Sequence, residues 1–345
     1  MLKHKTNKSQ RHHTVVGFLI LSIVVAAIAS SCTSPVARIN GTAQGTYYTI
    51  SYIDPKNRDL QPAIDSILTA FDSTASLWVE GSLLRRVNAN LTDSLNPLLA
   101  DMITKSLQMA DYTQGAFDIR VGRLVQAWGF SFREQQQLSD IAIDSLLHYA
   151  QGDVVVNGLK LIKQYPETEL DLNAIAQGYS VDLLAQWFDS IGIHNYLIDV
   201  GGEVIAKGKK GHNMPWRVGI EQPADNAESM PIIHTAIPLI NASVVTSGNY
   251  RKYYEKDGIK YSHTIDPTTG RPVTHSLLSA SVIAPTAWQA DAMATAYMVM
   301  GVDRAKTFIS QHKGQLGTSA VLLIYDSLGT MKTYSTPEFD KLQQQ

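Results

Sequence analysis

Val154-Val155-Val156-Asn157-Gly158-Leu159-Lys160-Leu161-Ile162-Lys163 is the stretch of this 345-residue chain whose reading decides its fold class. Branched aliphatic residues flank Asn157-Gly158, a pairing that reverses the chain in a tight hairpin, so two short antiparallel strands are predicted here. A second hairpin is predicted at Asp257-Gly258, with residues 251–256 and 259–265 as its arms. Residues 46–53 alternate aromatic and β-branched side chains and stop at Asp54-Pro55, as a strand does before a turn. Ile64, Ile67, Leu68 and Phe71 follow helical spacing, and Leu98, Met102, Leu107 and Met109 follow it less strictly behind an Asn96 cap with Pro97 in the first turn. Residues 174–191 read as a helix ended by Gly192, and 288–300 as another ended by Gly301. Strands at 196–200, 218–221, 279–283 and 320–325 fall between the helices irregularly, with hairpins among them. The expected class is therefore α+β with antiparallel or mixed sheets, not a doubly wound parallel sheet.

The organisation outside this region is simple. Lys3, Lys5, Lys8 and Arg11 precede an apolar run over 15–29 and then Ser30-Ser31-Cys32, the layout of an export signal. The run is too short to span a membrane comfortably. Cys32 is the only cysteine and directly follows small residues, so it is expected to be the lipidated first residue of a bacterial lipoprotein. Residues 1–31 are read as the signal peptide, 32–40 as a tether, 41–335 as the domain and 336–345 as a C-terminal tail whose glutamine-rich end, 341–345, is expected to fray. The expected location is the bacterial cell envelope, anchored by lipid and facing the periplasm. With one cysteine no internal disulfide can form, and stability must come from the core. Without the four basic residues of the leader, 25 basic residues stand against 31 acidic ones, a net charge of −6. That surface argues against a nucleic-acid partner. No linker or repeat interrupts the domain, which is expected to form two lobes sharing an interface.

Three segments carry the chemistry. His263-Thr264-Ile265-Asp266-Pro267-Thr268-Thr269-Gly270-Arg271-Pro272 sets an imidazole beside an acidic turn, and a neutral imidazole can take a proton from a hydroxyl nucleophile. It follows Thr246-Ser247-Gly248-Asn249-Tyr250 and precedes Ala290-Asp291-Ala292-Met293-Ala294-Thr295. Asp291 and Thr295 are four apart on a predicted helix, so their oxygens share a face; they suit a hard cation such as Mg²⁺, or else Asp291 simply answers the helix dipole. Asp171-Leu172-Asn173-Ala174-Ile175-Ala176-Gln177-Gly178 leads into a helix whose free backbone groups can hold phosphate oxygens or supply a carbonyl ligand, or form an ordinary cap. Gly201-Gly202 and Ser247-Gly248 let backbone approach a ligand closely. Trp78 and Phe117 either stack on a flat ring or belong to the core. No histidine and cysteine cluster supports zinc, and no Gly-x-Gly-x-x-Gly or Walker loop supports the common nucleotide folds.

Together these motifs resemble the ApbE family of FAD:protein FMN transferases. The resemblance runs over about residues 41–335 and rests on Gly45-Thr46, Ser76 through Asn88, Gly115-Ala116-Phe117-Asp118 with Trp128-Gly129-Phe130, Asp171 through Asp182, Asp199-Val200-Gly201-Gly202-Glu203, Thr246 through Tyr250, His263 through Pro272 and Ala290 through Thr295. It implies two interlocked lobes of a T-fold-like α+β architecture that hold FAD as substrate and Mg²⁺ between them. It further implies cleavage of the FAD diphosphate, with FMN attached through a phosphoester to a Thr or Ser of exported or membrane flavoproteins and AMP released. On this resemblance the Ala174 carbonyl, Asp291 and Thr295 hold the metal, and His263 helps deprotonate the incoming hydroxyl. FAD contacts fall at Gln44, Trp78, Ala116, Phe117, Asp118, Asp171, Gln177 and Ile265. Gln44 stands where the family usually has Met, and Gln177 where it usually has Lys, which removes one apolar contact and one positive charge. Two other readings use the same residues: an FAD pyrophosphatase in which water attacks, and a non-catalytic flavin-binding lipoprotein.

Overall fold

The computed structural model describes residues 35–130, 138–223, 230, 232–249, 253–256, 259–262, 264–313, 315 and 320–345. In chain order, β1 (Ala37–Ala43) and β2 (Thr46–Tyr52) precede helices α1 (Gln61–Ala75), α2 (Leu83–Asn88) and α3 (Pro97–Tyr112). A 3₁₀ turn at Ile119–Val121 leads into α4 (Gly122–Ala127) and then α5 (Asp140–Ala150). The hairpin of β3 (Val154–Asn157) and β4 (Lys160–Lys163) is followed by α6 (Ala176–Ser190). Then come β5 (Tyr196–Val200), β6 (Glu203–Lys207), β7 (Trp216–Glu221), β8 (Ile233–Leu239), β9 (Ala242–Gly248), β10 (Tyr253–Lys256), β11 (Ile259–Ser262), β12 (Ile265–Asp266), β13 (Arg271–Pro272) and β14 (Leu277–Ala284). The long α7 (Ala287–Gln311), β15 (Ala320–Ser327), β16 (Thr330–Ser335) and α8 (Pro337–Gln343) complete the chain.

Eight of these strands form one sheet in the order β1-β2-β5-β6-β9-β14-β15-β16. Every pairing in it is antiparallel. The expected α+β class is therefore met by antiparallel strands alone among the described residues. Period-two alternation explains how the sheet feeds cores on both faces. Val245, Val282, Val321 and Leu323 turn toward the helices and pack with Met293, Tyr297 and Phe117. Their neighbours Val244, Ile283, Leu322 and Ile324 turn the other way, onto Trp216 and Ile237 of the β7–β8 hairpin and Phe339 of α8. Tyr48, Ile50, Tyr196 and Ile198 bury against Ile64 and Leu68 of α1 and Leu184 and Phe188 of α6. The result is three layers, with the catalytic elements on the helical side.

The β3–β4 hairpin forms as expected, with its reversal one residue later than the Asn157-Gly158 reading. Asn157 pairs with Lys160, so Gly158 and Leu159 form the loop. Gly158 has φ of 60°, and the positive φ at the first loop position follows the type II′ pattern that glycine allows. The Asp257-Gly258 turn lies outside the described residues, but Lys256 and Ile259 pair across it. Of its expected second arm, Ile265 belongs instead to a separate small hairpin, where it pairs with Pro272. The tether expected over 32–40 gives its last residues to β1, where Ala37 pairs with Tyr52. The expected tail, 336–345, holds α8 with Phe339 fully buried, and the helix runs to Gln343, into the 341–345 end expected to fray. Cys32 and the leader lie outside the described residues.

Candidate active site

The site begins where α6 and α7 cross. Gly178, in the first turn of α6, packs so tightly that a Cβ there would lie 2.5 Å from the Ala287 carbonyl oxygen and 2.9 Å from the Asp291 Cβ. At this contact the Gly178 N–H donates to Asp291 Oδ2 at 3.0 Å. In a regular helix that N–H would go to the carbonyl four residues earlier, that of Ala174. Ala174 lies just before this helix start, two residues ahead of Ala176, and Asp291 takes the Gly178 N–H in place of a helical carbonyl. Asp291 is 5% exposed, and burial raises its carboxyl well above the usual carboxylate range, with the nearby Asp182 carboxylate adding to the rise. The Gly178 N–H works in the opposite direction by favouring the charged form.

One turn along α7, Thr295 Oγ1 lies 3.5 Å from Ser247 Oγ on β9. Two residues further, Asn249 Oδ1 accepts from Thr264 Oγ1 at 2.9 Å, and Asn249 N–H donates to the Leu278 carbonyl at 3.0 Å. All three segments singled out in the sequence therefore meet. His263 lies outside the described residues, but its neighbour Thr264 is pinned at this junction. The turn after it is rigid: Asp266 Oδ1 accepts the Thr268 N–H at 2.8 Å, and Trp128 Nε1 donates to the Gly270 carbonyl at 2.8 Å. Ile265 is buried with Leu124 and Ala150 beneath that turn.

The two unusual glutamines sit on the opposite side of the α6 start. Gln44 and Gly45 have φ of 55° and 72°, the two positive values of a type I′ turn between β1 and β2. The turn delivers Gln44 Oε1 to the Ser180 hydroxyl at 3.3 Å, while its Nε2 is buried without a partner among the described residues. Gln177 Nε2 lies against Gly201, 2.6 Å from where a Cβ would sit, with Thr46 and Glu203 beside it. Gly201 has φ of 66°, a left-handed conformation that glycine adopts without strain.

The remaining expected contacts divide. Trp78 is 61% exposed, whereas Phe117 is 1% exposed in the main core and Ala116 is buried beside it. The Phe117 ring therefore serves packing in the folded chain. Asp118 caps the 3₁₀ turn and holds the Arg120 guanidinium through both oxygens, at 2.9 Å and 2.6 Å. Asp171 is buried, takes the Asn173 N–H at 2.8 Å, and is pushed up to about 6 by burial. Its position is set by Asn88, which clamps the Leu170 backbone with two bonds of 2.8 Å.

Sequence reading did not single out Asp182. It accepts the N–H groups of Ala287 and Trp288 at 2.9 Å and 2.8 Å, and burial raises its carboxyl to about 6. It lies one turn from Gly178 on α6, but that spacing alone does not point to α7, more than a hundred residues away. A cavity of about 320 Å³ lies on the far side of the crossing, lined by Lys105, Tyr179, Asp182, Lys207 and Trp288. Gly178 packed on Ala287 separates it from the Asp291 side.

No group of three or more His, Cys, Asp or Glu side chains that could hold a metal occurs among the described residues. One buried carboxylate with a hydroxyl and a carbonyl nearby instead fits a hard cation that takes few protein ligands.

The ApbE family profile matches residues 44–319. The FAD:protein FMN transferase of Escherichia coli K12 is 36% identical over 324 residues, covering 90% of each chain, and that of Klebsiella pneumoniae is 33% identical over 330 residues, covering 91% of each. Among solved structures, the flavin transferase ApbE from Vibrio cholerae superposes with a TM-score of 0.78 at 30% identity, covering 89% of this chain and all of its own. The ApbE protein from Thermotoga maritima superposes at 0.77 with 25% identity, covering 89% of this chain and 99% of its own. A profile that spans most of the sequence, relatives aligned over nine tenths of it, and the same fold around the same motifs mean that this chain belongs to the ApbE family.

Proposed function

We propose that this chain is a Mg²⁺-dependent FAD:protein FMN transferase that acts on exported or membrane flavoproteins. A Thr or Ser hydroxyl of the acceptor attacks the phosphorus on the flavin side of the FAD diphosphate. The new P–O bond forms as the bond to the bridging oxygen breaks, AMP leaves, and His263 takes the hydroxyl proton. The observation that carries this reading is the meeting of the Asp291–Thr295 turn with both the start of α6 and the Ser247–Asn249 segment that anchors Thr264. The Ala174 carbonyl, Asp291 and Thr295 would hold the cation, which supplies charge neutralisation at the diphosphate. The exposed Trp78 would stack on a flat ring of the substrate. Gln177 contributes an uncharged donor where an ammonium is usual, so more of the phosphate charge falls to the cation.

The relatives named above carry this activity in their names, which supports the reading for a chain that aligns with nine tenths of their length. Incubating the soluble domain with FAD, Mg²⁺ and candidate acceptor domains, then weighing the acceptor, tests it. A covalent gain of FMN with stoichiometric AMP, abolished by chelator, is expected. Free FMN and AMP with an unlabelled acceptor would replace the transferase by a pyrophosphatase, and no FAD turnover with metal present would leave only flavin binding. The same reading includes a lipid anchor at Cys32 facing the periplasm; Cys32→Ser is expected to move the protein from the membrane fraction to the soluble one.

A further inference from the structure

The two helices that build the site hold each other through reciprocal bonds. Asp291, one turn into α7, accepts the Gly178 N–H at the start of α6. Asp182, one turn past Gly178 on α6, accepts the N–H groups of Ala287 and Trp288, the first two residues of α7. A 25-residue helix normally begins with a side-chain cap from its own flank, yet Thr286 at that position makes none. Its hydroxyl donates instead to Gln289 Oε1 at 2.7 Å. Ala287 is fully buried, so without Asp182 its N–H would be buried without an acceptor.

There is little slack in this arrangement, because Gly178 already touches the Ala287 carbonyl. A carboxylate some 5 Å from a helix axis moves by about 1 Å for a rotation of about 10°. Such a displacement is enough to cost about a hundredfold in turnover when it moves a reacting or ligating group.

We propose that Asp182 is a positioning residue: by capping α7 from α6 it sets the rotation of α7 and so the place of the Asp291 carboxylate at which the cation is held. Both Asp182 oxygens are taken by backbone, so it acts through Asp291 and not on substrate. The inference rests on Asp291 being a cation ligand, and the test separates the two claims.

Mn²⁺ binding to the soluble domain is measured by electron paramagnetic resonance, alongside the Mg²⁺ dependence of turnover, the FAD KM and the Tm. Asp291→Ala checks the underlying reading and is expected to abolish Mn²⁺ binding; binding as in the wild type would overturn that reading without touching the helix-capping geometry. Asp182→Asn keeps one acceptor and loses the other. It is expected to weaken Mn²⁺ binding and raise half-saturating Mg²⁺ by about 10-fold, with kcat down by about 10- to 100-fold and the FAD KM within about 3-fold. Phe339→Leu, on the far face of the sheet, serves as a control that lowers Tm and leaves Mn²⁺ affinity unchanged. If Asp182→Asn lowers Tm as the control does and binds Mn²⁺ as the wild type does, Asp182 is a structural cap and the proposal fails.

Discussion

Asp171 shows how a single buried carboxyl ties stability to pH. Its folded pKa of about 6 lies above the ordinary aspartate value of 3.8, so between those values the folded chain keeps a proton that the unfolded chain has released. Stability is therefore full below about pH 4, falls as pH rises through 6, and is lower by about 3 kcal/mol above that. Asp171→Asn removes the cost while keeping an acceptor for Asn173. Its Tm should exceed that of the wild type by up to about 5 °C at pH 8 and match it near pH 4, in thermal melts without ligand. A gap independent of pH would show that the carboxyl ionises freely. On the proposed role of His263 as the base for the incoming hydroxyl, His263→Ala is expected to lower transfer to an acceptor by about 100-fold or more while FAD binding changes little. Full transfer by that variant would remove His263 from the mechanism. The Asp171 segment leading into a helix was legible in the sequence, as was the one-turn spacing of Asp291 and Thr295. Asp182 was not, because its value depends on a helix more than a hundred residues away that the spacing does not announce.

At the scale of elements, α7 differs most usefully from its sequence pattern. Gly301 was read as the end of a helix, and it is instead a break inside one, with φ of 71° and ψ of 178°. That conformation is open almost only to glycine, and a Cβ there would lie 2.8 Å from the His275 ring. His275 fills the break by bonding the Met298 carbonyl through Nε2 at 2.6 Å. Gly301→Ala should cost about 2–4 kcal/mol, read as a lowered denaturation midpoint with an unchanged slope; a midpoint equal to wild type would mean that the break carries no strain. The sequence pattern ended the helix there because glycine signals a C-cap whether or not the chain resumes. Other elements gave no pattern to read. Three consecutive residues of β6 are buried, which hides strand alternation, and most of β16 is exposed and polar at the sheet edge.

At the scale of the whole molecule, the sheet has working surfaces on both sides. The helical side carries the site, and the other side is sealed by β7–β8 and α8. Phe339→Ala on α8 should destabilise the fold by about 3–5 kcal/mol, since the ring is fully buried in that second core; chemical denaturation checks it, and a loss below about 1 kcal/mol would return 336–345 to the status of a tail. The sequence alone established the α+β class, four of the eight helices described, most of the strands, and the three segments that meet at the site, because periodicity, turn residues and local caps are written within a few residues of one another. Tertiary structure alone decided the strand order, the burial of Phe117, the turn that sets Gln44 against α6, and the crossing at Gly178 that brings Asp182 and Asp291 to the same helix contact. Those depend on which surfaces exclude water against each other across more than a hundred residues, and local spacing holds no record of that choice.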